Sequence, residues 1–337
     1  MAADAISSGA GQEPRAQRWS IVLRRRLRAW YLGSDAARGY LLLIPTLAVL
    51  FALLVVPVAT LFLTSFCTQV YFKIDCSFTL ANYATIFAPS GEVGYFLGII
   101  PYPQMETPIY AVLLVRSIWM AFLVTLSVML LAYPMAYFLA FRVTRNKIRW
   151  LILITVPFWT SYLLRAFAWK VILGYGGVIN SGLISAGIIQ EPLSFLLYNP
   201  TAVIITLTHA WLAFAVLPIY VSLEKIDRSL LEAASDLGDG RIERFLRITL
   251  PLSMPGVVAA SLLVFIPTVG EYVTPTLVGG SSGKMLGSVI QSLFGQANNQ
   301  PLGSAVSLVM MLVVTLLVCA FLKVTGSKLK AREVQDA

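Results

Sequence analysis

Residues 40–66 read YLLLIPTLAVLFALLVVPVATLFLTSF, without one charged side chain. An α-helix rises about 1.5 Å per residue, so about 20 apolar residues cross the hydrocarbon of a bilayer. The stretch is long enough to do so. Inside lipid a helix is one of the few shapes that satisfies every backbone group from within. The 39 residues before it are polar and basic, with no apolar signal-peptide core, so no cleavable leader is expected and the run reads as a span that stays.

Composition extends this reading to the whole chain. Of 337 residues, 58% are hydrophobic and 12% charged. Soluble domains hold about 45–50% and about 25%. Five further runs have a span's length or nearly so: 118–140; 150–170, interrupted by Arg165; 202–223, with the single histidine His209; 255–273, with Glu271; and 303–322. Pro45, Pro57, Pro134, Pro157, Pro218 and Pro267 fall inside these runs, which bundled membrane helices tolerate. The expected fold is all-α, a polytopic bundle of six transmembrane helices.

Lys and Arg set the orientation. All but five of the 25 lie in the N-terminal arm, the 142–149 and 224–251 connections and the tail. Both termini are therefore expected in the cytoplasm, which requires an even number of spans. The expected organisation is a basic cytoplasmic arm (1–39), the first span (40–66), an outer loop (67–117), a core of five spans (118–324) and a cytoplasmic tail (325–337). The arm carries Arg15, Arg18, Arg24, Arg25, Arg26, Arg28 and Arg38. It either lies on anionic membrane lipid or serves only as a topology signal. The net charge of +9 sits at the ends of apolar runs, not in an aromatic-laced stripe, so nucleic acid is not an expected partner.

Cys67 and Cys76 share the first outer loop, and their spacing leaves open a disulfide or two free thiols. No metal-ligand cluster and no Ser/His/Asp or Cys/His set is evident. Gly279-Gly280-Ser281-Ser282-Gly283-Lys284 imitates a phosphate loop, but Val278 stands where its first glycine belongs and Met285 where Ser or Thr belongs. The chain is expected to hold no ATP site and to be no enzyme.

The 224–251 connection departs from a plain linker. Asp227 or Ser229 can cap a helix, with Glu232 at capping-box spacing from Ser229. Leu230, Ala233, Ala234 and Leu237 share one face, and Gly238 is a stop. A second short helix carries Ile242, Phe245 and Leu246 on one side and Arg241, Arg244 and Arg247 on the other, ending at Pro251.

Glu232-Ala233-Ala234, Gly238, Ile248, Leu250 and Pro251 resemble, at matching offsets, the EAA signature of ABC importer permeases. The resemblance implies a coupling helix that docks on a cytosolic ATPase dimer, which binds the ATP and Mg. It also implies a second permease subunit and a periplasmic substrate-binding protein, in the bacterial inner membrane. Pro157-Phe158-Trp159-Thr160-Ser161-Tyr162, Leu223-Glu224-Lys225-Ile226-Asp227, Gly270-Glu271-Tyr272-Val273-Thr274-Pro275 and Pro301-Leu302-Gly303-Ser304-Ala305 resemble the spermidine/putrescine-type permeases. The long arm and an insertion around residues 90–107 depart from that pattern.

Ionisable residues at membrane depth are costly and usually functional. Glu271 beside Tyr272, with Trp159 and Tyr162 as aromatic walls, suits a cationic amine. Glu271 could instead pair with Arg165. Arg165 and Lys170 are expected to snorkel outward. His209 is expected in a helix–helix hydrogen bond, and Trp30, Tyr31, Trp150, Trp169 and Tyr198 in an interfacial belt. One rival reading is a self-sufficient secondary transporter or channel for a small cation, which should show inverted repeats or paired broken helices. Another is a membrane enzyme or sensor, which would need a catalytic set.

Overall fold

The fold is taken from a computed structural model, which describes residues 35–71, 73–88, 95–96, 100–101 and 108–335. The arm's arginines before residue 35, with Trp30 and Tyr31, and most of the 90–107 insertion lie outside these residues. The chain divides into two units, residues 1–60 and 61–337. Helix α1 (Asp35–Ser65) contains Pro45 and Pro57. Thr60 Oγ1 donates to the Pro57 carbonyl at 2.7 Å, so a side chain helps satisfy the backbone beside a proline.

In the second unit, a short hairpin follows α1. Strands β1 (Thr68–Val70) and β2 (Lys73–Asp75) pair antiparallel, with Thr68 opposite Asp75. A disulfide joins Cys67 to Cys76 with their Cα atoms 4.1 Å apart, which settles the open thiol question. Helix α2 (Ala81–Phe87) ties the hairpin back to α1: Asn82 Nδ2 donates to the carbonyls of Ser65 (2.8 Å) and Cys67 (2.7 Å). A second hairpin pairs β3 (Tyr95–Phe96) with β4 (Ile100–Pro101). These two short hairpins lie outside the six apolar segments of an otherwise helical fold.

The remaining helices are α3 (Ile109–Tyr137), α4 (Lys147–Thr155), α5 (Tyr162–Leu173), α6 (Val178–Ser185), α7 (Pro200–Glu224), α8 (Arg228–Asp236), α9 (Arg241–Arg244), α10 (Leu250–Val269), α11 (Leu286–Gly295) and α12 (Gln300–Gln335). Among the described residues, six segments are long and apolar enough to cross a membrane. The core lies among α3, α7 and α10, where Met120, Val124, Val128, Leu207, Val216, Ile219 and Val264 are fully buried. Lipid is as apolar as these side chains, so close packing must hold the helices together. Small residues supply it: Ala132, Ala136, Ala215 and Ala260 are buried without exposure. At Gly256 of α10, a Cβ would lie 2.5 Å from the Pro218 carbonyl of α7.

Three expected spans differ in the structure: the second, expected over 118–140, begins already at Ile109, within the expected outer loop. The run 150–170 is not one helix. After α4 comes a 3₁₀ turn, Val156–Trp159, then extended backbone at Thr160, and only then α5. Pro157 at the start of the turn has no N–H to continue the α ladder. Thr160 Oγ1 instead donates to the Pro157 carbonyl at 2.8 Å. The third long apolar segment accordingly runs Tyr162–Ser185. The fifth span starts early and stops early, at Arg241–Val269. Pro251 does not end the short helix before it. It occupies the first turn of α10, where a missing N–H costs nothing, and a π turn (Phe245–Thr249) carries the helix across the junction.

Candidate functional site: the loop between the fourth and fifth spans and the Glu271 turn

The loop is built as two helices meeting at a left-handed glycine. Asp227, not Ser229, is the cap of α8: its Oδ1 accepts the Ser229 N–H at 3.0 Å. This backbone hydrogen bond holds the Asp227 carboxyl below its ordinary pKa. Gly238 has φ +91°, where a side chain is strained, and a Cβ there would meet nothing within 4 Å. Its freedom is needed by the turn, not by crowding. The Glu243 carboxylate accepts the Gly240 N–H at 2.6 Å and starts α9.

Two arginines close the pair of helices. Arg244 Nη1 donates to the Leu231 carbonyl at 3.3 Å, and Arg247 Nη1 meets Asp239 Oδ1 at 3.0 Å. Of the predicted apolar face only Ala234 is buried; Ala233 is exposed and Leu230 and Leu237 are 48% and 88% exposed. Ile242 and Leu246 are exposed too. Glu232 is exposed and makes no ion pair among the described residues. Ile248, Leu250 and Pro251 are half-buried where the loop enters α10.

Phe245 separates from its predicted neighbours and points inward. Its ring lies 5.7 Å from that of Tyr133 and 6.4 Å from that of Tyr137, and the Tyr133 hydroxyl bonds Ser253 Oγ at 2.9 Å. Sequence reasoning passed over Tyr133 and Tyr137, whose one-turn spacing on α3 was the available signal.

Glu271 lies two residues beyond the end of α10. One carboxylate oxygen accepts the backbone N–H groups of Tyr272 (3.1 Å), Val273 (2.8 Å) and Thr274 (3.4 Å). It thus caps the turn that leads into the π segment Pro275–Gly279. The Tyr162 hydroxyl bonds Thr274 Oγ1 at 2.6 Å, so Glu271, Thr274 and Tyr162 form one polar cluster. Tyr272 is half-exposed beside it. Trp159 is 80% exposed and joins no ring contact among the described residues.

Arg165 does not pair with Glu271 among the described residues. Its guanidinium stacks over Phe158, 4.8 Å from the ring centroid, and Nη1 reaches the Ala210 carbonyl at 3.5 Å. His209 lies between Phe158 (5.9 Å) and Trp169 (5.6 Å), and its Nδ1 has no hydrogen-bond partner among the described residues. Aromatic packing by Phe158 and Trp169 surrounds His209 where a helix–helix hydrogen bond was expected. The 279–284 stretch is packed against α3, with Arg116 Nη1 on the Ser282 carbonyl at 3.0 Å and the Leu286 N–H on Ser117 Oγ at 2.7 Å.

Residues 129–330 match the family described as binding-protein-dependent transport system inner membrane component. Over 235 residues the chain is 38% identical to the spermidine/putrescine transport system permease protein PotB of Salmonella typhimurium, covering 70% of this chain and 81% of that one. The PotB protein of Escherichia coli is 37% identical, covering 69% and 84%. The fold is shared with a chain of a bacterial alginate ABC transporter solved with an alginate pentasaccharide-bound periplasmic protein. That overlay has a TM-score of 0.61 at 17% identity, covering 91% of this chain and 98% of that one.

Proposed function

The chain belongs to the family of binding-protein-dependent transport system inner membrane components, and from that membership we propose that it is the permease subunit of an ATP-driven importer for a polyamine. The polyamine reading draws on the two PotB relatives and on an acidic, aromatic cluster suited to an amine. A binding protein delivers the solute, a second permease completes the path, and a cytosolic ATPase dimer holds the ATP and Mg.

One observation carries the coupling role: the loop between α7 and α10 leaves apolar side chains uncovered on a hinged, capped helix pair. Leu237 and Ile242 are 88% and 74% exposed. Glu232, Ala233, Ala234 and Gly238 form the surface that docks in the ATPase, and Ile248, Leu250 and Pro251 pass its displacement into α10. ATP-driven closure of the dimer brings two such loops together and turns the bundles as bodies, opening the path to each side in turn. Glu271, Tyr272, Tyr162 and Trp159 face the solute, Glu271 by charge and the rings by cation–π attraction.

Reconstitution tests this reading. The chain is placed in liposomes with an ATPase, a second permease and a binding protein of its transport system, and labelled spermidine, putrescine and an anionic solute are offered. Amine uptake that needs ATP and the ATPase is expected. Uptake by the chain without any ATPase subunit would establish the secondary-transporter reading instead.

A further inference from the structure

We propose that the ion pair between Lys147 and Glu224 is a strut that passes displacement of the α8–α9 loop to the broken third span. Lys147 Nζ meets both Glu224 carboxylate oxygens, at 2.7 and 2.9 Å, and donates to the Ala140 carbonyl at 3.3 Å. Three elements meet at this ammonium group. Ala140 lies in the π turn Phe138–Arg142 that ends α3. Lys147 is the first residue of α4, entered through left-handed Asn146 at φ +62°. Glu224 is the last residue of α7, three positions before the Asp227 cap of α8.

Packing alone does not fix α4, which has no buried residue. Leu151 and Ile154 are only partly covered by the core, and Trp150 touches Phe138 edge-on at 6.4 Å. The ion pair is the charged tie from α4 to the end of the fourth span. The side chains of the pair are 23% and 40% exposed, and ion pairs this accessible add little to folding stability. Its position is therefore the notable property. The far end of α4 runs straight into the turn Val156–Trp159 and the extended Thr160. Beyond that break lie Tyr162, in the Glu271 cluster, and Arg165, stacked back on Phe158. A shift of Glu224 with the loop pulls Lys147, swings α4 about its break and alters how Phe158 and Tyr162 are presented.

This inference rests on the reading of the chain as an ATP-driven permease. Its test uses the complete reconstituted transporter with Lys147→Glu, Glu224→Lys and the double exchange. Each single reversal is expected to keep the assembled complex and its ATP hydrolysis while uptake falls about tenfold, within the range that coupled neighbours show. The double exchange is expected to restore most of that uptake, and Lys147→Arg to retain it. Single reversals that transport like the parent would overturn the strut. So would a double exchange that recovers nothing, or a loss of assembled complex in step with uptake, which marks a purely structural pair. Failure of the broader reading is separable, since the parent complex itself would then show no ATP-driven uptake.

Discussion

At Gly238 the backbone adopts φ +91° in open space, so any substitution acts through conformation and not through a clash. A side chain in the left-handed region costs about 1–2 kcal/mol. Gly238→Asp adds a charge beside the exposed apolar face as well. It is expected to insert and accumulate normally while uptake per ATP hydrolysed falls about tenfold, as loss of a well-placed contact does. Uptake and phosphate release from the same proteoliposomes check this. Asp227 supplies a pH test. Its folded pKa lies below the ordinary 3.8 because it accepts the Ser229 N–H. The cap therefore stabilises α8 fully above the ordinary value and loses that contribution as pH falls through the lower folded value. Protection of the 229–231 amides, corrected for intrinsic exchange, is expected to drop there in the parent and stay flat in Asp227→Asn. Glu271 separates two roles by the same logic. A glutamine can still accept the three N–H groups at 272–274 but carries no charge. Glu271→Gln is expected to keep the folded complex and lower cationic uptake about tenfold, a typical loss for a removed charge partner. Unchanged uptake would leave Glu271 a cap only.

Among the elements, the spans with clean apolar runs could be read directly, because length and charge are what a bilayer selects. The 40–66 run corresponds to α1, and 202–223 lies within α7. Gly238 was legible because few other residues reach that φ. The third span was not. Hydropathy is blind to Thr160 and Ser161, whose hydroxyls are small enough to pass within an apolar run yet sit where the helix stops. Pro251 misled for a related reason: proline ends a helix from outside but also begins one, and only the π turn at Phe245–Thr249 shows which. Nor could the sequence place Phe245 between Tyr133 and Tyr137, since that contact joins helices far apart in the chain. The packing of α10 on α7 adds a prediction. Gly256→Val forces side-chain atoms onto the Pro218 carbonyl and Ser222. Overpacking of this kind costs about 1–3 kcal/mol. The detergent-solubilised protein is expected to lose its folded peak at lower temperature in size-exclusion analysis, whereas Gly326→Val, at an open site, should not change it.

For the whole molecule, the two ends of the bundle differ in chemistry. One end carries the Cys67–Cys76 disulfide, a bond that persists in oxidising compartments. The connections that carry most Lys and Arg are the ones a membrane retains inside. The proposed topology accordingly puts the hairpin on the outer face and the α8–α9 loop on the cytoplasmic side, where the proposed ATPase would dock. The most direct check is thiol labelling in right-side-out vesicles with a membrane-impermeant reagent. Cys319 is replaced by Ser to remove the one free, exposed thiol among the described residues. Leu237→Cys is predicted to stay unlabelled until the vesicles are opened, while Tyr71→Cys labels at once. Labelling at position 237 in sealed vesicles would place the loop on the side with no ATP and contradict the account.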